Sequence, residues 1–104
     1  MLLKRYEILL PLVYNDGKEI EPKKFDQTFR ELVEKFDAVT IDSLIITGKW
    51  IYEGTLFNDQ LIRIRVDIED IVNNKVFMKD YKETLKMRFN QIDIWISSQD
   101  IEII

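Results

Sequence analysis

Strict alternation of apolar and polar residues marks residues 61–68 as the central strand of the predicted fold. Apolar side chains occupy positions 62, 64, 66 and 68, and charged side chains occupy positions 63, 65 and 67. A period of two over this length predicts a β-strand with one buried face and one charged face. The rest of the chain should either cover the apolar face of this strand or pair with its edges.

Residues 4–14 predict the first strand of the chain, with one face formed by Tyr6, Ile8, Leu10 and Leu12 and the other by Glu7, Leu9, Pro11 and Val13. Pro11 lacks the N–H that a sheet requires, so it marks a bulge, an edge or the end of this strand. The sequence Asn15-Asp16-Gly17 then predicts a turn, because these residue types tolerate positive φ.

The middle of the chain is less regular. Residues 39–41 predict a short strand, and residues 49–53, bracketed by Gly48 and Gly54, predict a second strand with a kink at either end. Asn58-Asp59 is assigned as the hairpin turn that leads into the central strand.

Two amphipathic helices are predicted from apolar residues at helical spacing. The first begins at Pro22, which suits the first helical position, and should end near Asp37. The second should run from about Ile71 to Phe89, with Asp70 as its N-cap and Asn90 as a left-handed residue after its end.

The C-terminal segment predicts one more strand and allows a short extra one. Residues 92–96 alternate and are assigned as the last strand of the sheet. Residues 97–100 are assigned as a turn, and residues 101–104 can add a short edge strand.

The predicted order is strand, helix, strand, strand, helix, strand. Two right-handed crossovers place both helices on one face of a four-stranded antiparallel sheet. The prediction is an α+β, ferredoxin-like βαββαβ sandwich with strand order 4-1-3-2, formed as a single domain by residues 1–104.

Composition excludes some chemistry. The chain has no His and no Cys, so it lacks the usual general base near neutral pH, the commonest metal ligand, and any thiolate. Its net charge of -4 disfavours binding to a nucleic-acid backbone. No apolar run is long enough to span a membrane and no signal-peptide pattern is seen, so a cytoplasmic location is expected.

Several segments resemble a family of small, uncharacterised bacterial proteins associated with cyanobacteria. These segments are residues 5–17 (RYEILLPLVYNDG), 48–52 (GKWIY), 82–96 (KETLKMRFNQIDIWI) and 101–104 (IEII). The resemblance implies a free-standing single-domain protein. It implies no reaction, cofactor or functional residue.

The sheet face that the helices leave uncovered is the main candidate surface. It should combine aliphatic, aromatic and charged side chains, with either Trp50 and Tyr52 or Ile51 contributed by the second strand. Such a face can be idle, can bind a small molecule, or can bind a second copy of the chain. The candidate residues are Leu9, Val13, Trp50, Tyr52, Arg63, Arg65 and Trp95.

Two other groups of residues are weaker candidates for a site. Asp16 with Glu19 or Glu21 can hold a hard cation, but the spacing matches no EF-hand loop, and a plain turn with solvated charges is the favoured interpretation. The carboxylates at positions 67, 69 and 70 can act as acid and base or bind Mg²⁺, but they also favour the positive end of a helix. No catalytic residue, metal site or cofactor is therefore assigned.

The sequence favours a non-catalytic binding or interaction module that acts as a homodimer, through the open face or the C-terminal edge. The alternative is a small cofactor-free enzyme or small-molecule-binding protein with a pocket at the open face. Without His or Cys, proton transfer in such an enzyme would depend on Tyr, Asp, Glu or Lys.

Overall fold

The computed structural model describes residues 1–104 and contains two helices and four strands in the predicted order. Their bounds are β1 Leu2–Pro11, α1 Pro22–Phe36, β2 Thr40–Tyr52, β3 Thr55–Ile68, α2 Val72–Arg88 and β4 Ile96–Glu102. One strand that spans residues 40–52 replaces the separate strands predicted at residues 39–41 and 49–53.

All neighbouring strands of the sheet are antiparallel, in the order β2-β3-β1-β4. This is the predicted order 4-1-3-2 counted from the opposite edge. β1 and β3 form the central pair, with Tyr6 opposite Val66 and Ile8 opposite Ile64. The ferredoxin-like fold is therefore confirmed.

The hydrophobic core lies between the helices and one face of the sheet. The even-numbered residues 6–10 of β1 and 62–68 of β3 are buried there, while their odd-numbered neighbours face away from the helices. Phe89 and Leu85 of the second crossover have no exposed surface, and Leu32 of α1 meets them in the same cluster. Each such large side chain contributes at most about 1.5–3 kcal/mol by its removal from water.

The ends of both helices follow from local chemistry, with one correction. Pro22 begins α1 and Asp37 ends it in the left-handed conformation, at φ 68°. Asp70 is not the N-cap of α2; Ile71 holds that position in an extended conformation, with no side-chain cap. The amide of Asn74 instead donates to the Glu69 carbonyl, 2.9 Å away.

The β2–β3 turn lies at Glu53-Gly54 and not at Asn58-Asp59. Glu53 has φ 50° and Gly54 has φ 78°, while Tyr52 pairs directly with Thr55. Positive φ at both central residues is the type I′ geometry, which matches the twist of the flanking strands. Asn58 and Asp59 consequently lie inside β3.

The last strand also differs from the prediction. Residues 97–100, which were expected to form a turn, lie in the middle of β4. Of residues 101–104, which were expected to form an extra edge strand, the first two are the end of β4 and the last two follow it. Residues 92–95 are not a strand, and Ile92 is 40% exposed. β4 pairs with β1 at seven positions. This pairing stabilises the extended conformation of Ser97 and Ser98 more than their turn-forming tendency favours a turn.

β2 and β3 extend together beyond the rest of the sheet. β1 pairs only with residues 61–68 of β3, so residues 46–60 form a two-stranded ribbon, called here the arm. At the base of the arm the register shifts between Asp42 and Ile46, which leaves residues 43–45 as a bulge on the outer edge. No helix is long and apolar enough to cross a membrane.

Candidate functional site

A cavity of about 330 Å³ opens on the uncovered sheet face, where the arm joins the body. Its volume lies at the lower end of the range of small-molecule sites. β1, β2, β3 and the segment before β4 all contribute to its lining, which includes Leu9, Pro11, Trp50, Asp59, Leu61 and Trp95.

Strand register explains how the arm supplies one wall of this cavity. Trp50 lies opposite Phe57 and Gly48 lies opposite Asp59, so these four residues share the open face. Ile51 faces the other side, which settles the register that the sequence left open. A Cβ added to Gly48 would lie 3.2 Å from Leu61 Cδ1, so a side chain at this position would narrow the cavity.

The Trp50 indole is held in a fixed position. Its Nε1–H donates to Asp59 Oδ2 across 2.6 Å, and its ring stacks on Phe57 with centroids 4.7 Å apart. The contact orients both the indole and the carboxylate. Asp59 is partly buried and forms no ion pair.

The irregular segment before β4 supplies the facing wall. The backbone N–H of Leu9 donates to the Trp95 carbonyl at 3.0 Å, which fastens this segment to β1. Asp93 accepts from the N–H of Ile94 and lies 3.0 Å from Lys82 Nζ, so its charge is compensated. Trp95 itself is 66% exposed at the rim.

The other half of the open face is charged. Arg5 Nε and Nη2 donate to the two oxygens of Asp67 at 2.8 and 3.1 Å, and these hydrogen bonds hold the pKa of Asp67 below its usual value. Arg63 Nε lies 3.9 Å from Glu7 Oε2, too far for a hydrogen bond. Arg65 lies opposite Glu7 but forms no ion pair with it.

The seven predicted residues thus divide into groups. Leu9, Trp50 and Trp95 line the cavity, whereas Arg63 and Arg65 belong to the charged half of the face. The other two do not line the cavity: Tyr52 lies farther along the arm and is 43% exposed, and Val13 forms an isolated bridge with Glu19.

The predicted turn after β1 is present and well ordered by hydrogen bonds. Gly17 has φ 87°, and Asp16 Oδ1 accepts the N–H of Lys18 at 2.9 Å. Next to it, the Tyr14 hydroxyl donates to Glu21 and accepts from Lys24. The hydrogen bond from Tyr14 is the main reason that the pKa of Glu21 falls to about 2.

The acidic residues before α2 do not converge on one point. Asp67 is occupied by Arg5, and Asp70 lies 3.7 Å from Lys4 Nζ. No group of three or more His, Cys, Asp or Glu side chains in the chain is arranged to hold a metal ion.

Gly48, Asp59 and Leu61 are among the cavity residues that sequence reasoning missed. Asp59 was assigned to a turn, and that error began the predicted strand at Leu61 instead of Thr55. If the alternation of β3 is extended backwards from Arg63, it places Leu61, Asp59 and Phe57 on the open face.

Comparison with known proteins shows the fold. No protein-family model matches the chain, and no curated protein matches its sequence. A phage SAM lyase in complex with S-methyl-5'-thioadenosine superposes with a TM-score of 0.69 at 10% identity, covering 93% of this chain and 80% of that one.

Two divalent cation tolerance proteins are also similar in structure. CutA1 from Thermus thermophilus has a TM-score of 0.63 at 17% identity, and the periplasmic CutA from Archaeoglobus fulgidus has 0.61 at 16%. Each comparison covers 99% of this chain and 86% of the other. At these identities the likeness concerns the fold alone.

Proposed function

We propose that this protein is a homodimeric interaction module that associates through the arm. The observation that carries the proposal is the exposure of large apolar side chains on the side of the arm opposite the cavity. Ile51 and Leu56 lie directly opposite each other there and are 72% and 56% exposed. At the base of the arm, the bulge adds Leu44 at 76% and Ile45 at 60%.

A two-stranded ribbon is marginally stable in water by itself. Residues 46–60 have no third strand and no covering helix on this side, yet Ile51 and Leu56 are exposed near the tip, where a solvated hairpin would carry polar side chains. Contact with a second copy would bury these side chains and the open edge of β2 together. A stable interface of this kind should bury at least about 1,000 Å² in total.

The charged half of the open face is less suited to association. Its Arg5–Asp67 pair is satisfied within the chain, and burying it would remove both ions from water for little gain. We therefore assign the interface to the arm instead of the open face. Of the candidate residues, Trp50 and Tyr52 belong to the arm.

Sedimentation of the purified protein tests the proposal. The protein concentration should be about 10–100 µM, which covers the dissociation constants of weak homodimers. We expect a particle of twice the 12.5 kDa chain mass, and a monomer after replacement of both Ile51 and Leu56 by Lys. Met87→Lys is the matched control, because Met87 is 84% exposed on α2 and does not belong to the arm. A monomeric wild type, or equal effects of both variants, would contradict the proposal.

A second candidate function, small-molecule binding, is favoured by the cavity. Its apolar walls and few polar groups are the usual composition of a ligand site. The SAM lyase with this fold binds S-methyl-5'-thioadenosine, so a small ligand is compatible with the architecture. Gly48→Val should narrow the cavity and abolish binding of any small molecule there, while dimer formation should persist.

A further inference from the structure

The cavity contains one carboxylate whose hydrogen-bonding capacity is only half used. Asp59 Oδ2 accepts the indole N–H of Trp50, whereas Oδ1 receives no hydrogen bond from the protein. Because the carboxylate is partly buried and is oriented by the indole, its free oxygen has a fixed direction. An ionised carboxylate only accepts hydrogen bonds, so this oxygen selects for a donor.

The other charged groups of the cavity do not satisfy Asp59. Asp93 is already compensated by Lys82 Nζ at 3.0 Å. Lys49 lines the cavity but is exposed and forms no ion pair with Asp59 or any other residue. The cavity therefore presents one uncompensated acceptor beside apolar surface.

The walls of the cavity favour a flat ligand. Trp50 is supported from behind by Phe57 at an interplanar angle of 22°, which keeps its ring in one orientation. Trp95 stands at the rim with 66% of its surface exposed, an unusual position for a large aromatic side chain. Planar aromatic rings bind such surfaces by stacking.

From these two features we infer that the cavity binds a free planar heteroaromatic molecule that carries an exocyclic amine. The amine donates to Asp59 Oδ1, and the ring packs against tryptophan. Aminopurines and aminopyrimidines belong to this class. The inference rests on the second candidate function, small-molecule binding, and names its ligand chemistry; it does not depend on the dimer.

The chain supplies its own optical reporter for this site. It contains two tryptophans, Trp50 and Trp95, and both line the cavity. A change of intrinsic tryptophan fluorescence on titration therefore reports events at the cavity. Adenosine and inosine are suitable probes because inosine has a carbonyl in place of the exocyclic amine and an N–H in place of the neighbouring ring nitrogen acceptor, and cytidine and uridine form a second such pair.

We expect adenosine and cytidine to quench the fluorescence saturably, and to bind about tenfold or more tightly than inosine and uridine, respectively, since one charge-assisted hydrogen bond is at stake. Asp59→Asn should reverse this preference. The amide oxygen can still accept from Trp50, and the amide N–H₂ then faces a ligand carbonyl. Asp80→Asn, an exposed carboxylate of α2 outside the cavity, is the matched control and should leave the preference unchanged.

Two further variants keep the test decisive if Asp59→Asn does not fold. Trp95→Leu changes an exposed side chain and should weaken amine ligands without altering the circular dichroism spectrum. Gly48→Val should abolish binding of every probe.

Equal binding of both members of each pair would overturn the amine inference while leaving small-molecule binding in place. No response to any probe would overturn both. Tighter binding of a dA6 oligonucleotide than of adenosine would overturn the assignment to a free molecule.

Discussion

Arg88 of the second helix holds Glu31 of the first by two parallel contacts. Nη1 lies 2.8 Å from Oε1, and Nη2 donates to Oε2 at 3.0 Å. The Tyr81 hydroxyl donates to the same carboxylate at 2.8 Å, and Thr28 Oγ1 accepts from Arg88 at 2.8 Å. The side chain of Arg88 is only 10% exposed. This network fixes the two helices relative to each other over the core.

Glu31→Gln should lower the free energy of unfolding by about 1–3 kcal/mol, because it leaves the largely buried Arg88 without a counter-charge. Urea denaturation followed by circular dichroism measures the change. Glu34→Gln is the control, since Glu34 is exposed on the same helix and forms no ion pair. Equal stability of the two variants would show that the network contributes little.

The type I′ turn of the arm predicts that substitutions at its two central residues have opposite effects on the stability of the arm. Gly54→Ala should destabilise the arm by about 1–2 kcal/mol, because Gly54 has φ 78° and nothing lies near the added Cβ to compensate. Glu53→Asn should stabilise it, since Asn-Gly is the preferred pair for this turn. Amide hydrogen exchange in residues 46–60 measures both effects, and changes of the same sign would contradict the assigned turn.

Acid should destabilise the protein through carboxylates whose pKa values are lowered by folding. Glu21, held mainly by Tyr14, has a pKa of about 2, and the Arg5 hydrogen bonds lower that of Asp67. For Glu31, burial would raise the pKa, but the hydrogen bonds from Arg88 and Tyr81 together lower it. A depressed pKa gives stabilisation that is present above the ordinary value, about 4.3 for Glu, and is lost as the pH falls below it.

We therefore expect the urea midpoint to fall steeply between pH 5 and pH 2, a window set by the ordinary and lowered values (about 4.3 and about 2 for Glu21). Tyr14→Phe removes the main cause of the Glu21 shift and should make this fall smaller. Tyr52→Phe, at an exposed tyrosine without a hydrogen bond, should behave as wild type. A pH profile of Tyr14→Phe identical to that of wild type would refute the proposed role of Glu21.

Leu85→Ala should lower the free energy of unfolding by about 2–5 kcal/mol, because Leu85 has no exposed surface and lies in the main core cluster. Met87→Ala, two residues later on the exposed side of the same helix, should change it by less than about 0.5 kcal/mol. Chemical denaturation measures both, and a small effect at Leu85 would contradict the assigned helix face.

The sequence predicted the fold because its alternation is strongest where burial is strongest. The buried residues of β1 and β3 include Tyr6, Ile8, Ile64 and Val66, all at even positions, as predicted. The predictions that failed depended on short-range turn composition. Glu53 adopts positive φ because hairpin pairing requires it, although Asn58-Asp59 is the better turn sequence.

The candidate site was predicted only in part for the same reason. Leu9 and Trp95 were placed on the open face by alternation, Trp50 was left as one of two alternatives there, and all three line the cavity. Asp59 was wrongly assigned to a turn, so its hydrogen bond with Trp50 was not predicted. The bulge between Asp42 and Ile46 has no clear signature in the sequence, because no glycine or proline lies between these two residues.

That bulge has a consequence for how the protein behaves at high concentration. Fibrils grow when an unbroken flat strand offers the same template to every arriving chain. In β2, the residues up to Asp42 and those from Ile46 onward pair with β3 in different registers. Between them, the N–H of Leu44 donates to Asp42 Oδ1 at 3.1 Å. An incoming strand can align with one segment or the other but not with both, so stacking without limit is obstructed at the very edge that remains available for a specific partner.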